Sequence, residues 1–337
     1  MTEPLLSVSN LRTQFRTGQE TVRAVDGVDF DVFRGETLAI VGESGSGKTV
    51  ACESITRLLE EPPAELVDGE VVFDGVDLTT LPEATLREIR GNRIAHVFQN
   101  PQRSLSPVYT VGEQLVEAMA IHDVASGTAA RERAVGLLDR VGIPRPSVRV
   151  DEYPHQFSGG MRQRVAIAIA LAAEPDLLVA DEPTTALDVT VQAQLLDLLT
   201  DLQETLELAV ILVTHDFRVV AELADRVVVM YDGKVMERGS VGDVFDGPAH
   251  PYTQALFGGE DVADRRVDDA DDTAPTVGCR FHRECPHAIP DCRRGDQPPL
   301  RPTGTGQRAA CVYYDERHDS SVVRARRLER EVTSDER

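Results

Sequence analysis

Short apolar runs recur along the chain, each closed by glycine, an acidic residue or histidine. Leu38-Ala39-Ile40-Val41, Leu177-Leu178-Val179-Ala180, Val210-Ile211-Leu212-Val213 and Val227 to Met230 contain no polar residue, which is the pattern of buried strands rather than half-exposed ones. The first of these strands starts at Thr37. Phe73-Asp74-Gly75 and Asp232-Gly233-Lys234 read as hairpin turns. From Thr110 to Val141 the spacing changes. Val111, Leu115 and Met119, then Ala134, Leu137, Leu138 and Val141, fall at three- and four-residue steps and predict helix. Val50 to Leu59 and Val165 to Ala173 are also helix-compatible. Strands on either side of a helical insertion predict an α/β fold.

The strand at Thr37 to Val41 leads into Gly42-Glu43-Ser44-Gly45-Ser46-Gly47-Lys48-Thr49, which matches the P-loop pattern G-x-x-x-x-G-K-[ST]. Glycines let the backbone curl until its N–H groups converge on an anion, and the following helix N-terminus adds partial positive charge. Gly42, Ser44, Gly45, Ser46 and Gly47 are thus expected to cradle the phosphates of a nucleoside triphosphate. Lys48 would reach the β- and γ-phosphates, and the Thr49 hydroxyl would ligate magnesium. A glycine-rich turn that only punctuates strand and helix needs neither Lys nor Thr at those places. By itself the loop does not choose among kinases, GTPases, motors and transport ATPases.

Further motifs make that choice. Val97-Phe98-Gln99-Asn100-Pro101 follows a strand, and Phe157-Ser158-Gly159-Gly160-Met161-Arg162-Gln163-Arg164 precedes an apolar helix. Asp181-Glu182-Pro183 closes one strand, Ala186-Leu187-Asp188 comes next, and Thr214-His215-Asp216 closes another. This order of P-loop, glutamine loop, S-G-G signature, D-E pair, A-L-D loop and histidine resembles the ATP-binding cassette (ABC) ATPases. The resemblance implies an α/β P-loop NTPase fold, an ABC nucleotide-binding domain over residues 1–250 with a helical subdomain at about 101–165, and ATP and Mg2+ as cofactors. Asp181 would hold the magnesium hydration shell, with Thr49 and Gln99 beside it. Glu182 would orient and deprotonate the attacking water, and His215 would contact the γ-phosphate and Glu182. Phe15 stands where the family places an aromatic that stacks on adenine; core packing is the alternative for a Phe on a strand. Ser158, Gly159 and Gly160 would close over ATP held by a second subunit, with Asp188 at the seam. One P-loop and one signature make the chain half of such a dimer.

The tail narrows the resemblance. His250-Pro251-Tyr252-Thr253, the form of the signature, and Cys285-Pro286 among spaced cysteines resemble the ATP-binding subunits of oligopeptide/dipeptide importers. That branch implies a C-terminal region over 251–337, a paralogous second ATPase subunit or a second copy as partner, two membrane permease subunits, and indirectly an extracytoplasmic substrate-binding protein. An acidic, disorder-prone linker rich in Asp spans Asp261 to Asp272. Four of the five cysteines, Cys279, Cys285, Cys292 and Cys311, lie beyond it; Cys52 sits alone on the P-loop helix and reads as packing. Their spacing is not that of a C-x2-C zinc ribbon. Some members of the branch carry a [4Fe-4S] cluster on four C-terminal cysteines, which is the expectation here, with zinc or no metal as alternatives. His96 and His155 are expected to make local hydrogen bonds. Arg324, Arg326, Arg327 and Arg330, alternating with Glu329 and Glu331, suggest a solvated helix.

Composition sets the remaining bounds. No stretch approaches the ~20 apolar residues of a membrane-spanning helix, and Met1-Thr2-Glu3-Pro4 carries no basic and apolar leader. The pore is therefore expected from other polypeptides, with this chain peripheral at the cytoplasmic face of the membrane. A formal net charge of −22 argues against sequence-independent nucleic-acid binding. A soluble ABC ATPase working on DNA or ribosomes is the competing class. Against it, 110 positions separate Lys48 from Ser158, with no sustained heptads, and the chain has one cassette. The excess of carboxylates fits a halophilic source, where salt screens self-repulsion; an ordinary acidic protein is the alternative. Melting across a salt series separates them: the halophile reading expects a Tm that rises with salt, and a Tm highest at low salt overturns it.

Overall fold

The computed structural model describes residues 3–18, 20–99, 105–185, 187–258, 277–304 and 306–324. The acidic stretch from Asp261 to Asp272, Asn100, Pro101, Ala186, and the arginines and glutamates from Arg326 to Glu331 lie outside the described residues.

Two long antiparallel strands, β1 (Leu6–Thr17) and β2 (Glu20–Val32), precede a short one, β3 (Thr37–Val41), that runs into the P-loop. β4 (Ala64–Phe73) and β5 (Val76–Asp77) form a hairpin, with Asp74 and Gly75 both at positive φ, as a tight two-residue turn requires. β6 (Ile94–Val97), β7 (Leu177–Asp181), β8 (Ala209–Thr214) and β9 (Arg226–Tyr231) follow. β10 (Lys234–Ser240) turns back through the positive-φ pair Asp232 and Gly233. β11 (Arg301–Pro302) and β12 (Arg308–Ala309) come from the C-terminal region.

These strands make two sheets. One is antiparallel in the order β2-β1-β4-β5, and the other runs β11-β12-β10-β9-β3-β8-β7-β6. From β9 to β6 the second sheet is parallel. Parallel sheets are covered on both faces, which explains the unbroken apolar runs. Leu38 and Ile40 of β3 enter a core shared with Leu11, Phe30, Val71 and the P-loop helix, Lys48–Ile55. Ala39 and Val41 of the same strand face the opposite way, toward Tyr252 and Phe281. Cys52 is fully buried in the first of these cores, as packing predicts.

The helical insertion is built from separate helices rather than one continuous run. Val111–Ile121 begins at a Thr110 capping box closed by Glu113. It breaks at His122 and Asp123, the latter at positive φ, before Gly127–Arg140 resumes. Leu115, Met119 and Leu138 pack there with Val165 and Ile167 of the signature helix, Gly159–Ala170. The P-loop helix is also shorter than the apolar pattern to Leu59 suggests; its last turn gives way at Thr56 and Arg57, where Arg57 takes positive φ.

The described part of the C-terminal region packs into the main body. β12 extends the central sheet by pairing Ala309 and Arg308 with Glu237 and Arg238 of β10. Glu237 is fully buried and accepts hydrogen bonds from Ala249 N, His250 N and Gln307 Nε2. Burial pushes its carboxyl up to about 7, against those donors and Thr253. One buried side chain thus ties a main-sheet strand, the His250-Pro251-Tyr252 turn and the C-terminal strands together. An unsatisfied buried donor costs about 1–3 kcal/mol, so this junction resists opening.

Candidate functional site

The ends of four parallel strands converge on the P-loop. The register sets Val41 beside Thr214, Val213 beside Asp181, and Ala180 beside Val97. Lys48 follows β3, His215 follows β8, Asp181 ends β7 with Glu182 next, and Gln99 lies just past β6. Positions 48, 99, 181, 182 and 215 therefore gather at one sheet edge although they are far apart along the chain.

The loop itself needs its glycines. Gly42, Gly45 and Gly47 all have positive φ. A Cβ on Gly42 would stand 2.1 Å from Met230 O, and one on Gly47 2.2 Å from Ala24 O, so only glycine fits. Ser44 lies between them, exposed. Lys48 is buried and folds back, donating from Nζ to Gly42 O at 2.8 Å and Glu43 O at 2.7 Å, with Ser46 Oγ at 3.4 Å. Burial draws its pKa down, while Glu182 and Asp181 oppose.

Thr49 Oγ1 donates to Asp181 Oδ2 at 2.7 Å. The other oxygen, Asp181 Oδ1, is buried with no hydrogen-bond partner. Burial pushes this carboxyl up, against the Thr49 bond and the Lys48 charge, and Glu182 adds to the push. A buried, unpaired carboxylate oxygen beside a threonine hydroxyl fits a hard divalent cation held by oxygen.

Glu182 has a strained backbone for a non-glycine residue, with φ 46°. Its Oε2 accepts from Gln99 Nε2 at 2.8 Å and Thr185 Oγ1 at 2.9 Å, and its Oε1 lies 3.2 Å from His215 Nδ1. Burial pushes the carboxyl up, but Gln99, Thr185 and His215 outweigh it and the net pKa is lowered. The group is held ionised, able to accept a proton. Thr185 was missed in the sequence, although it stands between two motifs that were read.

Phe15 is half-buried and belongs to no hydrophobic cluster among the described residues. It lies two residues from Thr13, whose hydroxyl is 2.8 Å from Ser54 on the P-loop helix, so alternation turns it toward the same side. Ser158 and Gly159 are exposed at the start of the signature helix, and Ser158 Oγ accepts from Met161 N at 3.3 Å. A Cβ on Gly160 would stand 2.4 Å from Val191, on the helix Val189–Leu206 that Asp188 caps through Val191 N. Signature and Asp188 therefore adjoin each other, and their described bonds do not reach this chain's own P-loop.

The comparisons with known proteins agree with this geometry. Residues 25–185 match the ABC transporter family, and residues 236–292 match the oligopeptide/dipeptide transporter C-terminal region. A probable peptide ABC transporter ATP-binding protein of Sinorhizobium fredii is 49% identical over 93% of this chain and 96% of its own. The oligopeptide transport ATP-binding protein AppD of Bacillus subtilis is 46% identical, covering 93% of this chain and 97% of its own. This chain belongs to the ABC transporter family. Among solved structures, the ATP-binding cassette MJ0796, a dimer in a post-hydrolysis state bound to ADP and Pi, superposes with a TM-score of 0.63 at 32% identity. It covers 70% of this ABC chain and 98% of its own. The activity of this ABC protein is that of an ATPase, and ATP with Mg2+ is its expected nucleotide. No helix among the described residues is long and apolar enough to cross a membrane.

The remaining candidates divide. His96 is half-buried, with Nε2 2.9 Å from Thr56 Oγ1, and loss of solvent around the ring pulls its pKa down to about 4. His155 is exposed and stacks on Tyr153. His96 makes the local hydrogen bond expected of it, whereas the contact seen for the His155 ring is a stack. The four tail cysteines are free thiols, three of them buried and Cys285 half-buried. Among the described residues no three of His, Cys, Asp or Glu gather closely enough to hold a single metal ion. Neither the iron–sulfur expectation nor the zinc alternative finds a metal-holding group among the described residues, and the comparisons support neither.

Proposed function

We propose that this chain is the ATP-hydrolysing, energy-coupling subunit of an importer for peptides or similar small solutes, working at the cytoplasmic face of the membrane. The observation that carries the reading is Glu182, held ionised by Gln99, Thr185 and His215 beside the Thr49–Asp181 pair. Peptide transport in the names of relatives that align over nearly the whole chain supports the solute class. The match to the oligopeptide/dipeptide C-terminal region weighs against a DNA- or ribosome-directed ATPase.

In this mechanism Lys48 reaches the β- and γ-phosphates from its seat on the loop carbonyls, and the N–H groups of the 44–49 turn surround them. Thr49 and Asp181 would hold magnesium, with Gln99 beside it, and the ion would neutralise phosphate charge. Glu182 accepts a proton from the water it orients, and His215 steadies that carboxylate from Oε1. Phe15 gives the adenine a face to stack on. The exposed Ser158 and Gly159, with Gly160 beside them, close over the nucleotide of a second cassette, with Asp188 at the seam. That second cassette is a paralogue, and the pair works on two permease subunits fed by an extracytoplasmic binding protein.

Glu182→Gln keeps size and hydrogen bonding but removes the base. Turnover should fall by roughly 10²–10⁴, ATP binding should survive, and an ATP-dependent dimer should accumulate in sedimentation. Near-normal hydrolysis would place the base elsewhere. Membrane extraction should recover the chain with permeases and a second, different cassette; native mass showing only two copies of this chain contradicts the paralogue.

The four thiols also enter the proposal. Burial pushes Cys285 up to about 11 and Cys311 up to about 12, and neighbouring cysteines of the set add to the push on both and on Cys279. The push that these thiols exert on one another supports their standing in one neighbourhood, and four thiols that lose their protons on binding iron are the donor set of a [4Fe-4S] cluster. Anaerobically purified protein should be brown with about four irons per chain. Cys279→Ser, Cys285→Ser, Cys292→Ser or Cys311→Ser should each bleach it, and Cys52→Ser should not. Colourless anaerobic protein without iron removes the cluster.

A further inference from the structure

The C-terminal region grips the P-loop at the peptide that seats Lys48. A peptide unit is planar, so the Gly42 carbonyl and the Glu43 N–H turn together. The carbonyl oxygen accepts from Lys48 Nζ at 2.8 Å, and the N–H donates to the Tyr252 hydroxyl oxygen at 3.1 Å. Tyr252 thus holds one edge of the plane whose other edge holds the lysine. The plane sits against β9, where a Cβ on Gly42 would stand 2.1 Å from Met230 O.

Tyr252 is itself fixed. It is fully buried, with ring centroids 4.6 Å from Tyr231 and 5.4 Å from Phe281. A second tie runs from the neighbour of Phe281. Arg280 donates to Asp26 Oδ2 at 2.7 Å and Asp232 Oδ2 at 3.1 Å. Asp26 N then donates to Gly233 O, and Gly233 N to Ser46 O in the loop. Both ties end on P-loop backbone, and neither side chain can touch nucleotide from its buried position.

From this geometry we propose that Tyr252 is a positioning residue for ATP binding: its hydroxyl fixes the Gly42–Glu43 peptide plane and, through it, Lys48. The proposal rests on the reading of the P-loop as the ATP site. A tyrosine that serves packing alone would act through its ring, not through its hydroxyl.

Tyr252→Phe keeps the ring and removes the hydroxyl. The Kd and KM for ATP should rise about three- to tenfold, as loss of one hydrogen bond gives, with kcat within about twofold. Amide exchange of Glu43 should be protected in the nucleotide-free wild-type chain and faster in the variant. Wild-type Kd and KM in Tyr252→Phe overturn the proposal and leave the ATPase reading standing. If that variant does not fold, the wild-type chain decides: a Glu43 amide exchanging as fast as an exposed loop overturns it. Wild-type protein that binds no ATP overturns the functional reading and this proposal with it.

Discussion

The site depends on the parallel hydrogen-bond register of β3, β8, β7 and β6. Each ladder fixes where the next strand ends, and each strand end carries one chemical group. A slip of one residue in β7 would turn Asp181 to the opposite face and move Glu182 away from Gln99 and His215, because side chains alternate along a strand. Burial on both faces prevents the slip: Leu178 and Ala180 pack toward the helical side, Leu177 and Val179 toward the antiparallel sheet. The apolar runs thus supply both the stability of the sheet and the alignment of its polar ends.

Much of this was legible in the sequence, for stated reasons. Unbroken apolar runs marked the strands because the strands are covered twice, and Asp-Gly pairs marked two hairpins because those turns need positive φ at both residues. The motifs placed Lys48, Thr49, Gln99, Asp181, Glu182 and His215, and the fold brought them together at one sheet edge. Helix ends were less legible. The interruption at Asp123 and the early stop at Arg57 are backbone conformations that a three- and four-residue period does not report.

The C-terminal region shows where a sequence says little about packing. Its composition, acidic and rich in cysteine, gives no sign of the contacts that fit it to the cassette. What binds it to the cassette is a set of contacts between distant positions: Glu237 with Gln307, Arg280 with Asp26, Tyr252 with Glu43. Such pairs leave no periodic trace, since each partner is a single polar residue in otherwise unremarkable surroundings. Buried carboxylates and arginines are costly unless satisfied, so their pairing here shows how closely the region is fitted. A chain that merely trailed behind the cassette would have kept those charges in water.

That fit changes how the cysteines relate to catalysis. Cys279 precedes Arg280 and Phe281, and all three sit within one short segment that packs beneath β9 and reaches the loop through Tyr252 and Gly233. Separation along the sequence alone would make the thiols and the ATP site look energetically independent. Independence holds for sites that share no partners, and these share Phe281 and the β9–β10 turn. The Lys48 ammonium rests on carbonyls whose peptide is held from that side, so disorder in the cysteine segment would be felt first as a looser lysine seat. Glu182, held by Gln99, Thr185 and His215 on the far strands, would be touched last.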